Sequence, residues 1–480
     1  MNTIYYQTFI NIQCEYSLFK YCVYFAKFRN RNMIITFYLL PLQQKHIEMI
    51  QEIKIKNFLS FRDEVTLNFE ASNDKFAEDC QVVTMGDNAK TRLLRLGIVY
   101  GYNASGKSNL LKVFDFLNFF WSYDPSSTDM GTRVRSFKLN GSAVHEPSHF
   151  EIVFFVEDTK YSYLLELDTK QVLLEKLSYY KSTQPIMLFE RIMRDGQSEI
   201  AFNNQNGDKV TAIVKDKITV ECLKNISFFV ARDKANASLP LIDAAKGWIR
   251  KQLMNLVSPQ TDLTSYAQMM TSESKSLVSY LLDFLHEADF NVTNITTDVI
   301  LEHLPEEALK MLIENKSVSA QERKRLLAEK TFKRPKTTFE HTVENESGNA
   351  SYEFALGEES LGTLKTFGIE TVLYQATQNK AFLPIDEIEN SLHPKLLEKI
   401  LFEYLRVPSR SQVLMTTHND GLLDLVGDLI RKDSIWFAEK DKAGATDLYK
   451  LTDFRGINRL SSIREAYRNK RFGATLGDGK

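Results

Sequence analysis

A short stretch rich in glycine, serine and lysine has the composition of a phosphate-binding loop. Residues 101–108 read Gly-Tyr-Asn-Ala-Ser-Gly-Lys-Ser. Gly101 and Gly106 let the backbone curl so that successive N–H groups face a polyphosphate. By the usual division of roles in this motif, Lys107 contacts the β- and γ-phosphates and the Ser108 hydroxyl holds Mg²⁺. The stretch therefore predicts a nucleotide site.

Two adjacent carboxylates follow a later apolar run. Residues 382–385 read Phe-Leu-Pro-Ile, and Asp386 and Glu387 come directly after them. Beside a phosphate-binding loop, the first acid can hold the Mg²⁺ hydration shell, while the second can orient and deprotonate a water. Two solvated acids that cap a strand are the alternative. The upstream loop favours Asp386 as a metal residue and Glu387 as the general base.

A histidine ends the next apolar run. Residues 413–417 read Val-Leu-Met-Thr-Thr, and His418 follows. A lone histidine is more often structural than catalytic, but one predicted helix and one predicted strand separate His418 from Glu387. A parallel sheet would bring this strand end to the edge that carries the phosphate-binding loop. We expect the imidazole to contact the γ-phosphate there.

A second predicted anion site precedes a helical run. Residues 356–363 read Leu-Gly-Glu-Glu-Ser-Leu-Gly-Thr, which places Ser360 and Gly362 at a prospective helix N-terminus. The N–H groups of such an end favour an anion. One γ-phosphate does not need two such sites in one molecule, so we expect this one to complete the ATP site of a second copy. An ordinary capped helix is the alternative.

The elements that must position these residues can also be predicted. An apolar run ends at Tyr100, and Leu110, Phe114, Leu117 and Trp121 recur at helical spacing after the loop, so the strand–loop–helix context of the motif is present. Alternating residues predict a hairpin and an antiparallel meander, with runs at 53–69, 152–156, 161–167, 172–180, 188–193 and 200–202.

A long segment after the meander changes in composition. It is polar and rich in Leu and Met, with helical spacing at 277–286, 306–314 and 320–330, and we predict an inserted helical arm. A solvated helix face is the simpler explanation of the basic run in this arm, and contact with nucleic acid is the alternative. The run contains Arg323, Lys324, Arg325, Lys330, Lys333, Arg334 and Lys336.

The composition indicates a globular chain of nearly balanced charge. It has 480 residues, is 43% hydrophobic and carries a formal net charge of −2, so any nucleic-acid contact must come from a local patch. Cys14, Cys22, Cys80 and Cys222 form no CxxC pair, which favours a reducing cytoplasm over a disulfide framework. The apolar run at 34–41 is far shorter than the ~18 residues of a membrane span, so we expect a cytoplasmic protein without membrane contact.

The four motifs in this order resemble those of ATP-binding-cassette (ABC) ATPases of the SMC, RecF and OLD type. Residues 101–108 are similar to the phosphate loop of that class, 359–363 to its signature motif and 386–394 to its Walker B motif and D-loop. His418 resembles its switch histidine, and residues 55–61 its N-terminal strand. No convincing Q-loop glutamine is found.

Within this class the chain most resembles compact bacterial ATPases of phage-defence, or abortive-infection, systems. The strand–Gly turn–strand pattern at 436–451 and the tail at 472–474 are similar to that group. Too little chain follows His418 for the Toprim nuclease of OLD proteins, and the arm is too short for an SMC coiled coil.

The resemblance implies an α/β fold, a P-loop ABC-type ATPase with a mixed central sheet, an antiparallel β subdomain and the inserted helical arm. We expect residues 49–238 to form the first part of the ATPase domain, 239–345 the arm and 346–480 the second part. Residues 1–48 lack clear periodicity, and we expect them to be an extension that is non-native or poorly ordered, with a true start at Met49.

The resemblance also implies ATP, Mg²⁺ and a homodimer that sandwiches ATP. Glu387 and His418 are the expected catalytic residues, and Ser108 and Asp386 the metal residues. The residues expected at the nucleotide are Gly101, Asn103, Ser105, Gly106, Lys107, Ser108 and Asn109, with Ser360 and Gly362 from the second copy.

Three functions remain open. The first is an ATP-hydrolysing switch that controls a separate effector, a nuclease or a toxin, in anti-phage defence. The second is a scaffold clasped by ATP with negligible turnover. The third is a RecF-like DNA repair and recombination ATPase, which would use the groove of the dimer on duplex DNA. Contact of nucleic acid with Arg323, Lys324 and Arg325 of the arm is a separate possibility.

Overall fold

The structure is a computed structural model, and it describes residues 48–86, 90–125, 127–141, 143–288, 290–314, 320–346 and 348–475. The predicted N-terminal extension, apart from Glu48, lies outside the described residues, as do Cys14 and Cys22. Every helix within the described ranges is too short or too polar to cross a membrane.

The described residues form the following strands and helices. The strands are β1 (Glu48–Lys56), β2 (Val65–Asn68), β3 (Val82–Met85), β4 (Thr91–Leu94), β5 (Leu96–Tyr100), β6 (Ser148–Val156), β7 (Thr159–Leu167), β8 (Val172–Tyr180), β9 (Pro185–Arg194), β10 (Gln197–Phe202), β11 (Val292–His303), β12 (Thr331–Asn345), β13 (Gly348–Ala355), β14 (Phe382–Ile385), β15 (Gln412–Thr416), β16 (Ile435–Lys440) and β17 (Thr446–Lys450). The helices are α1 (Glu78–Gln81), α2 (Lys107–Phe120), α3 (Ala212–Glu221), α4 (Phe228–Asp233), α5 (Pro240–Gln252), α6 (Leu263–Glu273), α7 (Lys275–Glu287), α8 (Glu306–Glu314), α9 (Ala320–Glu329), α10 (Leu361–Asn379), α11 (Pro394–Arg406) and α12 (Ile463–Arg468).

A five-stranded mixed sheet forms the centre of the fold, in the order β14-β15-β5-β16-β17. The first four strands run parallel, and β17 pairs antiparallel with β16. Both faces are covered, because Leu96 and Ile98 of β5 pack in the cluster that includes α10 and α11, whereas Val99 packs with α2. An apolar strand such as β5, buried at every residue, is typical of a parallel sheet with helices on both faces.

A seven-stranded antiparallel sheet lies beside the central sheet, in the order β10-β9-β8-β7-β6-β1-β2. The predicted hairpin is confirmed as β1 and β2, with Ile53 opposite Leu67. The predicted meander is confirmed as β6 to β10. The apolar face of this sheet packs on α2, α4 and α5 around Phe154 and Tyr163.

The predicted arm differs from the structure. Its helices at 306–314 and 320–330 are found as α8 and α9, and that at 277–286 lies within α7. However, the same segment contributes β11 and β12, which join β13 in a three-stranded antiparallel sheet, so an entirely helical arm is wrong. The first helix of the segment, α5, packs on the seven-stranded sheet instead, where Trp248 stacks on Phe154 with ring centroids 4.2 Å apart.

The reason for the missed strands is visible in their burial. Most residues of β11 and β13 are exposed, so these strands lack the alternation of apolar and polar side chains that identifies a half-buried strand. Among the described residues, the base of the arm sheet is covered where Val292, Ile295 and Phe339 pack against α6, α7 and α10. At the other end, Phe332 of β12 packs against a small cluster that includes residues of α8 and α9.

Candidate active site

The phosphate-binding loop connects β5 to α2. Gly106 precedes the first residue of α2 and has a left-handed backbone with φ 109°. A Cβ atom at this position would lie 2.1 Å from Thr446 Oγ1, so only glycine fits the turn. At the outer side of the loop Asn103 and Ala104 are exposed, whereas Ser105 is buried with no hydrogen-bond partner at its hydroxyl oxygen.

Lys107 folds back over the loop. Its ammonium donates hydrogen bonds to the carbonyl oxygens of Gly101, at 2.6 Å, and Tyr102, at 3.2 Å. The residue is only 5% exposed, and burial lowers the pKa of Lys107 to about 8 against the opposing effect of Asp386 and two further carboxylates. The ammonium thus sits in the loop with neutral carbonyl partners, where a phosphate would supply the missing negative charge.

Hydrogen bonds that involve the hydroxyl groups of Ser60 and Thr446 hold the loop in place. Asn109 Nδ2 donates to Ser60 Oγ at 2.9 Å, and Thr446 Oγ1 lies 2.8 Å from the same oxygen. Thr446 also donates to the carbonyl oxygen of Ser105 at 2.8 Å. Three separate segments, the turn after β1, the start of α2 and the start of β17, therefore fix the backbone of the loop.

Ser108, directly after the loop lysine, contacts Asp386. Ser108 Oγ donates to Asp386 Oδ1 at 3.1 Å, and Thr416 Oγ1 donates to the same oxygen at 2.5 Å. Asp386 is 9% exposed. A hydroxyl and a carboxylate oxygen at the end of a phosphate loop are the ligands that Mg²⁺ prefers, so these two side chains fit the predicted metal role.

Glu387 and His418 lie next to this pair. The Glu387 backbone has a left-handed φ of 49°, and its N–H donates to Thr416 Oγ1 at 2.9 Å. His418 Nε2 is 3.9 Å from Glu387 Oε1, and the His418 N–H donates to Glu389 Oε1 at 2.6 Å. Burial and the charge of Lys107 both lower the pKa of His418. Both side chains remain partly exposed and can reach a ligand.

The topology explains why residues so distant in sequence converge. The strands β14, β15 and β5 are parallel neighbours, and each is followed by site residues at its carboxyl end. The strands end before Asp386, Thr417 and Gly101, respectively. Ligands of open α/β sheets bind at this edge.

Ser360 and Gly362 lie at the start of α10, as the sequence predicts. Ser360 is the N-cap, and its hydroxyl accepts a hydrogen bond from the Thr363 N–H at 3.0 Å. In the part of the chain that the structure describes, no hydrogen bond connects this helix end to the phosphate-binding loop. Leu361, between the two residues, is 75% exposed. The basic residues Arg323, Lys324 and Arg325 lie on α9 of the arm.

Sequence reasoning missed Thr416, Ser60, Thr446 and Glu389. Thr416 offered a weak signal, since it is a polar residue at the end of an otherwise apolar strand, two residues before His418. Nothing near Ser60 or Thr446 in the sequence indicated their role, because each acts through a contact with the other, 386 residues away.

The model of one protein family matches residues 98–219 and 232–424, more than half of the chain. That family, AAA_21, is described as "AAA domain, putative AbiEii toxin, Type IV TA system". No curated protein matches the chain.

Solved structures of SMC heads are also similar to the chain. "SMC head domain from Thermotoga maritima" is 12% identical to this chain, with a TM-score of 0.36. The matched region covers 84% of this chain and 98% of that chain. "Crystal structure of the SmcHead bound to the C-winged helix domain of ScpA" is 11% identical, with coverages of 84% and 99% and a TM-score of 0.41. A Smc head with an extended coiled coil, bound to a ScpA domain derived from Pyrococcus furiosus, is 12% identical, with coverages of 88% and 99% and a TM-score of 0.35. At such low identity and TM-score, we draw no conclusion about this chain from these similarities.

Proposed function

We propose that this chain, which belongs to the AAA_21 family, is an ATP-hydrolysing switch that pairs with a second copy of itself around ATP and thereby controls a separate effector. The observation that carries the proposal is the convergence of Ser108, Asp386, Glu387 and His418 at one sheet edge, beside the loop that contains Lys107.

Binding comes first in the proposed cycle. The N–H groups of the loop and the Lys107 ammonium would contact the phosphates, and Ser108 with Asp386 would hold Mg²⁺. Mg²⁺, when bound, neutralises charge that develops on the phosphate oxygens. Asn109 and Ser105 act indirectly, through the hydroxyl groups that fix the loop.

Hydrolysis then depends on Glu387. Its carboxylate orients a water and takes a proton from it, while the Thr416 hydroxyl fixes the Glu387 backbone in its left-handed conformation. His418, whose pKa burial and Lys107 lower, donates a hydrogen bond from an imidazole N–H to an oxygen of the γ-phosphate.

Ser360 and Gly362 act on the nucleotide of the second copy. The proposal is supported by the exposed N-terminus of α10, where unpaired N–H groups can face an anion, and by the exposed side chain of Leu361, which a partner subunit would cover.

The effector is proposed to be a nuclease or another toxic enzyme in anti-phage defence. The support is the family description, which names a toxin and a type IV toxin–antitoxin system. ATP-driven pairing would shift the population between two states that the effector distinguishes.

Steady-state ATP hydrolysis by the purified chain tests the proposal. Glu387→Gln should slow turnover by about 10²–10⁴-fold, as expected for a lost general base, and retain binding of a fluorescent ATP analogue. Lys107→Ala should instead weaken binding itself.

Glu398→Gln is the matched control, because Glu398 pairs with Lys395 on the surface of α11 and lies outside the site. Normal turnover of Glu387→Gln would contradict the assignment, and so would a loss of the same size in Glu398→Gln. If the unaltered chain binds ATP but hydrolyses it too slowly to measure, the alternative of a scaffold held together by ATP would be favoured.

A further inference from the structure

The helix α10, which carries Ser360 at its N-cap, contacts the arm at three levels. The first contact is at its N-terminus, the second in its middle, and the third along its packed face. Together they connect the arm to the helix along most of its length.

The first contact joins β12 to the residue before Ser360. His341 Nε2 is 2.6 Å from Glu359 Oε1, and the Glu359 side chain is only 5% exposed. Since a carboxylate accepts hydrogen bonds, the His341 Nε2 carries the shared hydrogen. The His341 ring also packs edge-on against Phe354 of β13, with centroids 4.8 Å apart. The arm sheet thus holds Glu359, the residue directly before the N-cap of α10.

The second contact lies about three turns along the helix. Tyr280 of α7 donates its hydroxyl hydrogen to Glu370 Oε2 at 2.5 Å, and Glu370 is buried. The Tyr280 ring lies against Tyr374, with centroids 5.0 Å apart. A helix at the base of the arm is therefore bonded to the core of α10.

The third contact leaves no space between α10 and α6. A Cβ atom at Gly368 would lie 2.5 Å from Leu263 Cβ, so the two helices touch at the backbone of Gly368. From α6, Thr271 Oγ1 lies 3.0 Å from Thr297 Oγ1 of β11. The arm sheet, α6 and α10 consequently form one packed unit.

We propose that His341 is a positioning residue, which through Glu359 transmits the position of the arm sheet to Ser360 and so to the ATP site of the second copy. The inference rests on the proposed function, because it assumes that Ser360 acts on ATP in the other subunit. The link between β13 and α10 is short, so displacement of β12 moves Glu359 and the adjacent N-cap together. A partner that binds the arm can then favour or oppose pairing without touching the nucleotide.

The test compares His341→Ala, Glu359→Ala and the double variant. Each single variant should lower ATP turnover and ATP-dependent pairing roughly tenfold, as expected for loss of one hydrogen bond to a buried carboxylate. The double variant should be no worse than either single one, because both remove the same interaction. Affinity of the isolated subunit for ATP should not change, since the phosphate-binding loop is built by other segments.

Two further variants exclude a merely structural effect. His341→Gln keeps an N–H donor of similar reach and should restore turnover, with hydrogen exchange of residues 356–364 close to that of the unaltered chain. His303→Ala, on the distal end of β11, is the matched control and should behave as the unaltered chain. If His341→Ala folds poorly, His341→Phe replaces it in the comparison, because it keeps an aromatic ring but has no N–H donor for Glu359.

The outcomes separate the inference from the proposed function. Normal turnover in His341→Ala, or additive losses in the double variant, would overturn the coupling, provided that Ser360→Arg still stops hydrolysis. If Ser360→Arg leaves turnover unchanged, the proposed function itself fails.

Discussion

Thr416 places one hydroxyl group between the two acidic residues of the site. It donates to Asp386 Oδ1 and accepts from the Glu387 N–H, at 2.5 and 2.9 Å. A single side chain therefore fixes both the carboxylate proposed for the metal and the backbone of the proposed base. Thr416 is fully buried, so water cannot substitute for its hydroxyl.

The first prediction concerns this hydroxyl. Thr416→Val keeps the shape of the side chain but leaves the Glu387 N–H without its acceptor and removes one of the two hydroxyl donors to Asp386 Oδ1, at a cost of about 1–3 kcal/mol. We expect turnover to fall by roughly 10–100-fold, with ATP affinity nearly unchanged. Phosphate release and nucleotide titration measure the two quantities. Thr416→Ser keeps the hydroxyl and should retain most activity; equal losses in both variants would contradict the role.

Whether a site residue could be predicted depends on whether the sequence next to it indicates its role. Residues 101–108 and the pair Asp386–Glu387 could be predicted, because the motif spacing and the apolar strands before them are contiguous in sequence. Ser60 and Thr446 could not, since each gains its role from a contact across the chain. The placement of His418 beside Glu387 followed from strand order alone.

At the scale of elements, the parallel strands and the meander were predictable because burial gives them a clear pattern. The strands of the arm were not predictable. In β12, for example, the basic run at 333–336 hides the strand preference of the β-branched residues Thr337 and Thr338 that follow it. The arm strands are held mainly by backbone pairing along β11 and β13. Pairing of that kind leaves little trace in hydrophobic periodicity.

The second prediction concerns the buried acid of α10. Burial raises the pKa of Glu370 to about 8, against the effect of the Tyr280 hydrogen bond. A raised pKa means that stability is fully present below the ordinary pKa near 4.5 and is lost as pH rises towards 8. Glu370→Gln cannot ionise, so its stability relative to the unaltered chain should rise by up to about 1.4 kcal/mol per pH unit across this window.

Urea unfolding at pH 5, 7 and 9 measures this difference, with the surface variant Glu398→Gln as the control for general charge effects. A difference between Glu370→Gln and the unaltered chain that stays constant with pH would show that Glu370 keeps its ordinary pKa.

The third prediction belongs to the whole molecule. Ser360→Arg blocks the helix end offered to the partner, and Glu387→Gln blocks hydrolysis on the subunit's own nucleotide. A mixed pair still contains one site with neither change, so equal mixing should restore about a quarter of normal turnover for random pairing. Light scattering should show Glu387→Gln as a dimer with ATP and a monomer without it.

A chain that carries both changes provides the control, because no mixture of it with itself contains an intact site. Monomers of Glu387→Gln at saturating ATP, or no recovery on mixing, would exclude the sandwich arrangement.

The hydroxyl groups beneath the phosphate-binding loop also have a consequence for synthesis. Ser60 and Thr446 are 386 residues apart, and Thr446 bonds the carbonyl of Ser105 directly. The ribosome makes the loop first, but the support that Thr446 gives to Ser105 arrives only with β17, 341 residues later. Chains that stop before residue 446 should therefore bind ATP more weakly than chains that include it. Under the proposed function, such incomplete copies would stay out of the ATP-bound pairs.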